Sequence, residues 1–255
     1  MARRGTTGAR APGRNAEERP LVVYGANPVL ELLRSRQPVS RLHLGPGSRR
    51  GELEAAARER GVRVETLDRS ALDRTAGTPH HQGAVAVATP FRFTDLGELC
   101  AAPGRGLLVL DGIQDPRNLG AILRTARATG AGGVVLPRDR SARITSVTVA
   151  ASAGLVFGLP VAQVPNLVRA MEGLKAAGLW LIGLIPRDGT AIDRVVLPGR
   201  PALVVGGEGE GLRPLVRRGC DLLTSIPMTP GVESLNVSVA VGVALYDFLV
   251  RRPAP

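Results

Sequence analysis

Short apolar runs and amphipathic segments alternate along residues 21–252. Between 21 and 88, "LVVYG", "RLHLG", "VRVETL" and "GAVAVAT" read as strands. The segments between them have helical spacing. "NPVLELLRSR" should open with Asn27 as N-cap and Pro28 at the first helical position, where the missing proline N–H is not needed. "RGELEAAARERG" reads as a helix that Gly61 ends, and "DRSALDRTAG" as a short capped one. Residues 90–105 carry prolines and glycines and read as a connector between two domains.

From residue 106 the runs become more apolar: "GLLVLDG", "GGVVLP", "LPVAQV", "LWLIGLI", "PALVVG" and "LTSIPM". Such runs suit parallel strands covered on both faces. Helices are expected over 118–130, 143–153, 165–177 and 212–219, with a last one over 234–250. The fold class is therefore α/β, a small unit followed by a larger one with a mostly parallel sheet. The expected divisions are a disordered basic arm (1–20), a first domain (21–89), a linker (90–105) and a second domain (106–252).

Charge changes the picture. The chain holds 33 Lys and Arg against 22 Asp and Glu, a net charge of +11. A surplus of that size points to a polyanionic partner, nucleic acid first. Lys175 is the sole lysine, a bias that a GC-rich genome would also give, so the surplus and not the choice of arginine carries the inference. Cys100 and Cys220 form neither a disulfide framework nor a metal set, which fits a reducing, cytoplasmic setting. The arm lacks the apolar core of a secretory signal, and no run is long enough to span a bilayer. His43, His80 and His81 suggest no triad or metal spacing.

Three stretches hold candidate chemistry. In "LVLDGIQDPRNLGAILRTARATG", Asp111, Asp115, Arg117, Asn118 and Arg124 surround a strand-to-helix turn, where open α/β sheets bind ligands. Asn118 suits the cap of a helix starting near Leu119; a capped helix with solvated arginines explains the stretch equally well. "PALVVGGEGEGLRPLVRRG" has glycines at 206, 207, 209 and 211, which miss the G-x-G-x-x-G spacing of a dinucleotide turn. Glu208 and Glu210 would repel a pyrophosphate. A ligand with a positive centre, or one held by backbone groups, fits better; the alternative is a flexible loop. In "SIPMTPGVESLNVSVA", Pro227 ends a strand, Pro230 and Gly231 make a turn, and Ser234 reads as the N-cap. Asn236 and Ser238 then stand unexplained at the head of an apolar helix. They either face a ligand or bond a neighbouring backbone.

Together, "DPRNLGAILRTARATG", "LVVGGEGEGL" and "IPMTPGVESLNVSVAVGVALYDF" resemble, in order, the three motifs of the SpoU (TrmH-like) family of the SPOUT superfamily. Those enzymes transfer a methyl group from S-adenosylmethionine to a ribose 2′-hydroxyl of RNA. The resemblance covers about residues 105–252. Residues 21–88, ending "HQGAVAVA", resemble the small ribosomal-protein-like substrate-binding domain of the rRNA-directed branch. A trefoil-knotted SPOUT domain, a homodimer, S-adenosyl-L-methionine as cofactor and no metal are what the resemblance implies. It implies that Gly206, Ile226, Met228 and Leu235 hold the cofactor, and that Asn118, Arg124, Glu208, Ser234 and Asn236 carry catalysis. Arg124 would lie nearest the RNA ribose and phosphate, as an orienting group, since a guanidinium is a poor base. Pro230 stands where the family commonly has glycine, with Gly231 following. A guanosine of large-subunit (23S) ribosomal RNA is the implied substrate. A tRNA enzyme, a resistance-type rRNA enzyme and a catalytically silent RNA-binding protein are the alternatives. The last helix, apolar nearly all round, should be buried, in part against a second subunit.

Overall fold

The computed structural model describes residues 19–46, 49–102, 106–197 and 199–251; the arm expected over 1–20 lies, but for its last two residues, outside them. The N-terminal elements are β1 (Leu21–Tyr24), α1 (Ala26–Arg34), β2 (Val39–Leu44), α2 (Arg50–Glu59), β3 (Val64–Thr66), α3 (Arg69–Ala76) and β4 (Ala84–Ala88). They form a four-stranded sheet in the order β1-β4-β2-β3. In it β4 is antiparallel to β1 and β2, and β2 is parallel to β3. The N-cap of α1 is Gly25, not Asn27. Gly25 has φ 97°, which lets the chain turn straight out of β1. Gln82 Oε1 then accepts from Ala26 N–H at 3.1 Å, doing the work expected of Asn27.

The stretch 90–105 is more than a connector. Asp95 accepts from Gly97 N–H and caps α4 (Leu96–Ala101). Leu99 of that helix is buried in the core. Thr94 N–H donates to Val161 O at 2.8 Å, and Phe91 stacks edge-on to Phe93 and against Phe157. Proline and glycine mask this helix in the sequence, and packing on the larger sheet supplies what propensity lacks.

The larger unit contains β5 (Leu107–Asp111), α5 (Pro116–Ala128), β6 (Gly133–Pro137), α6 (Ser146–Ala151), β7 (Val161–Val164), α7 (Leu167–Ala176), β8 (Trp180–Leu184), β9 (Thr190–Ala191), β10 (Pro201–Gly206), α8 (Pro214–Gly219), β11 (Leu222–Ser225) and α9 (Val237–Leu245). Its seven strands are ordered β7-β6-β5-β10-β8-β11-β9, every neighbouring pair parallel. The apolar runs follow from that topology, since β5, β6 and β10 are buried at every position. Side chains alternate across the sheet. Leu108, Leu110, Leu203 and Val205 join a core that extends into the N-terminal sheet through Val23, Val29 and Leu42. Leu107, Val109, Ala202 and Val204 face the opposite core, with Leu174 and Val216. The chain builds outward from β5 to β7 on one side, then crosses to the other, where β10, β8, β11 and β9 lie in that spatial order. The order therefore reverses between β5 and β10, the kind of place where such sheets bind ligands.

The last helix departs from expectation. Its regular part begins at Val237, and it ends in a π-helical turn, Tyr246–Arg251. It is not wholly buried: Val239, Val243, Tyr246 and Val250 stand exposed at helical spacing. Its covered face packs on α5 and on β10, and a Cβ on Gly242 would lie 3.7 Å from Thr125 Cγ2. Among the described residues no helix is long and apolar enough to cross a membrane.

Gly120 sets the spacing of α5 and α6. A Cβ there would lie 2.5 Å from Ala151 Cβ and 2.6 Å from Thr148 O. Gly120→Ala should therefore lower stability by about 1–3 kcal/mol in urea unfolding, despite the better helix propensity of alanine. An unchanged or raised midpoint would contradict this packing.

Candidate active site

The site is assembled on Asp111, the last residue of β5. Its carboxylate is fully buried and accepts from Arg213 Nε at 2.6 Å and from Arg213 N–H at 2.9 Å. Its carbonyl accepts from Gly207 N–H at 2.9 Å. One residue thus holds both ends of the glycine loop that leaves β10. The loop closes on itself, with Gly211 N–H donating to Gly207 O at 3.2 Å. A Cβ on Gly206 would fall 2.0 Å from Gly211 C, and one on Gly207 would fall 2.4 Å from Gly112 O. These two glycines are therefore required by close backbone approach within the protein itself. The loop is clamped, contrary to the flexible alternative.

Helix α5 starts earlier than the sequence suggests. Asp115 is its N-cap, accepting from Arg117 N–H at 2.8 Å, with Pro116 at the first helical position. That frees Asn118 from the capping role expected of it. Its Nδ2 donates to Glu208 Oε1, and its Oδ1 accepts from Asn236 Nδ2 at 3.3 Å. Asn236, not Ser234, caps α9: its Oδ1 accepts from Ser238 N–H at 2.9 Å and Ser238 Oγ at 2.6 Å. The cap lies two residues later because the apolar face of the helix begins only at Val237. The polar head is thereby divided. Asn236 caps, Ser238 partners the cap, and Ser234 is left to line a cavity.

The cavities lie side by side beyond the carboxyl ends of the parallel strands. One of about 410 Å³ lies at the ends of β8, β10 and β11. Gly206, Ile226, Met228 and Leu235 all line it, and so do Glu208, Ser234 and Asn236. Leu184 and Ile185, at the end of β8, complete an apolar wall that no motif marks. A second cavity of about 310 Å³ lies between the ends of β5 and β10. It is more polar, with Asp115, Asn118, Glu208, Glu210 and Arg140 among its lining. Gly207, Glu208, Gly211 and Val237 border both, so the Glu208–Asn118–Asn236 chain stands at the partition. Arg124 lines neither cavity. It is exposed on α5, six residues and about 9 Å of helix rise beyond Asn118, with no side-chain partner among the described residues.

The larger cavity fits the implied cofactor. Its volume lies in the roughly 300–1,000 Å³ range of small-molecule sites. Apolar side chains suit an adenine ring, glycine backbone permits close approach, and the Glu208 carboxylate at the rim favours a positively charged sulfur. Pro230 is accommodated: Val232 N–H donates to Thr229 O at 3.2 Å and Gly231 has φ 89°. That is a type II turn pattern, with proline first and glycine second of the central pair. The thiols are unsuited to nucleophilic work. Burial pushes Cys220 up to about 12 and also raises Cys100. His81 is structural, its Nε2 against Asp73 and its Nδ1 accepting from Gly83 N–H. Among the described residues no group of three or more His, Cys, Asp or Glu is placed to hold a metal ion.

Comparison with known proteins agrees with this geometry. The model of the SpoU rRNA Methylase family matches residues 106–246, and that for RNA 2'-O ribose methyltransferase substrate binding matches residues 22–94. The chain is 44% identical over 206 residues to the 23S rRNA (guanosine-2'-O-)-methyltransferase RlmB of Xanthomonas campestris pv. campestris, covering 79% of this chain and 83% of that one. An uncharacterized tRNA/rRNA methyltransferase of Mycobacterium tuberculosis is 40% identical over 262 residues, covering 100% of this chain and 81% of the relative. The crystal structure of an AdoMet-bound rRNA methyltransferase from Sinorhizobium meliloti superposes with a TM-score of 0.78 at 25% identity, covering 90% of this chain and 86% of the other. With the first model matched over the whole parallel sheet and its cavities, and the second over the smaller sheet, the chain belongs to the SpoU rRNA methylase family of S-adenosylmethionine-dependent RNA 2′-O-ribose methyltransferases.

Proposed function

We propose that this methyltransferase acts on a guanosine of large-subunit (23S) ribosomal RNA, as a cytoplasmic homodimer. The observation that carries the reading is the Glu208–Asn118–Asn236 chain on the partition between an apolar and a polar cavity. The substrate assignment is supported by the Xanthomonas relative and by the substrate-binding match over residues 22–94. The charge surplus of +11 supports an RNA partner. The knot belongs to the same proposal; the return of residues 226–251 from β11 to α5 supports it. The division into domains over 21–89 and 106–252, with 90–105 between them, is part of the proposal as well.

When bound, the cofactor supplies an electrophilic methyl group. Gly206, Ile226, Met228 and Leu235 hold it through backbone and apolar contact. The target ribose enters from the polar cavity. Glu208 fixes the amide of Asn118, Asn118 fixes that of Asn236, and the cap fixes Asn236 to α9. The polar atoms that meet the 2′-hydroxyl are thus oriented before the RNA arrives. Such alignment contributes several kcal/mol, on the order of 7–11 in the best intramolecular cases. Ser234 holds the rim of the cofactor cavity. Arg124 lines neither cavity of its own chain; in the proposed dimer it meets the ribose and its phosphate from the second subunit, where a guanidinium fork suits phosphate oxygens. A guanidinium is a poor base, so it orients and stabilises charge and does not take the proton. The exposed stripe of Val239, Val243, Tyr246 and Val250 is the face we assign to the partner subunit.

Arg124→Ala should leave S-adenosylmethionine binding unchanged by calorimetry while lowering methylation of ribosomal RNA roughly 100-fold or more; full activity would refute the assignment. In sedimentation the wild-type protein should run at twice the chain mass and Val243→Glu as a monomer. A wild-type monomer at micromolar concentration would overturn the dimer.

A further inference from the structure

The loop leaving β6, residues 138–143, takes no part in the Glu208–Asn118–Asn236 chain. It carries Arg138, Arg140 and Arg143, all exposed, which with Gln114, Asp139 and Ser141 line an open hollow of about 420 Å³. Arg140 and Gln114 also line the polar cavity, so the hollow opens into it. The hollow and the two cavities therefore run in line along the carboxyl edge of the sheet. The arginine hollow lies beyond β6, the polar cavity beyond β5 and β10, and the apolar cavity beyond β10, β8 and β11.

The loop is held in place. Ala142 N–H and Ser141 Oγ both donate to Ile113 O, at 2.7 and 3.3 Å. Thr148 Oγ1 donates to Arg143 O at 2.8 Å, and Arg138 N–H to Val164 O at 2.8 Å. Arg140 is kept at φ 57°, a conformation disfavoured for any residue with a side chain. The three guanidinium charges are balanced only in part, since among the described residues Asp139 is the one carboxylate in the lining of the hollow. Arg138 reaches only Asp139, at 3.5 Å with both side chains more than half exposed, and such a pair contributes little. The guanidinium groups of Arg140 and Arg143 have no partner among the described residues.

We propose that Arg138, Arg140 and Arg143 seat the phosphates flanking the target nucleotide of the RNA strand. The inference rests on the reading of the protein as an RNA methyltransferase. A nucleoside in the polar cavity must bring its neighbouring phosphates to a rim of that cavity. Arg140 stands on that rim, and the hollow continues from it. Guanidinium groups grip phosphate through paired N–H donors, so the loop positions the strand without reading its sequence.

The test uses Arg138→Ala, Arg140→Gly (which keeps the positive φ) and Arg143→Ala, singly and together. Arg217→Ala with Arg218→Ala, on α8 and outside all three recesses, is the charge control. The combined loop variant should bind S-adenosylmethionine as the wild type does and keep its kcat at saturating RNA within about twofold. Its KM for ribosomal RNA should rise about tenfold at physiological salt. The slope of log KM against log salt should fall by about 1 for each phosphate the loop no longer grips. Phosphate-ethylation interference beside the methylated nucleotide should appear with the wild type and vanish with the variant. Any single variant that folds should move the slope in the same direction. An unchanged slope with interference retained, or an equal effect from the α8 control, overturns the inference while leaving the methyltransferase reading intact. A wild-type protein that methylates no RNA overturns both.

Discussion

The buried carboxylate of Asp111 is the constraint on which the site depends. It terminates β5 at the place where strand order reverses, and it meets Arg213 from the far side of the glycine loop. A carboxylate removed from water is costly unless hydrogen-bonded and paired. Here both conditions are met by one residue, Arg213, which keeps 31% of its side chain exposed, so the attraction is partly screened. The consequence is geometric. With its ends tied to Asp111, the loop must fold back on β10, and only glycine fits at 206 and 207. Glu208 is thereby carried to the boundary between the two cavities.

From that position the polar chain follows. Glu208 can only accept, so it draws the amide nitrogen of Asn118, whose oxygen is left for Asn236. Asn236 in turn gives its oxygen to the first turn of α9. Three segments separated by 90 and 118 residues are locked in one sense. The packing of α9 on α5 holds two of them at fixed distance, with Gly242 facing Thr125. The geometry of the Glu208–Asn118–Asn236 chain and the packing of the last helix are therefore one arrangement. The parallel sheet adds the third ingredient, because both cavities and the arginine hollow lie beyond the carboxyl ends of its strands.

Much of the fold is legible in the sequence. The strands of the larger sheet read as apolar runs because both faces are covered, and their residues alternate between two cores as the period requires. The caps fall two or three residues from where the sequence suggests. Asn118 and Ser234 are good capping types, yet Asp115 and Asn236 take those roles, since a local pattern cannot show where a helix first meets its core. Helix α4 is hidden by proline and glycine, and two-residue β9 by its brevity. The expected cofactor residues Gly206, Ile226, Met228 and Leu235 do line one cavity, and Asn118, Glu208 and Asn236 do meet. Arg124 stands apart from both cavities within one chain. The Asp111–Arg213 clamp and the arginine hollow are not legible, because their members are joined only by tertiary structure.

The central claim is that Asn118 and Asn236 act as one unit. Single-turnover methylation of ribosomal RNA by Asn118→Ala, Asn236→Ala and the double variant tests it most directly. If the amides work as one oriented chain, the double variant will be no more than about threefold slower than the slower single one. If the two rate losses multiply, the residues act independently and the account is wrong.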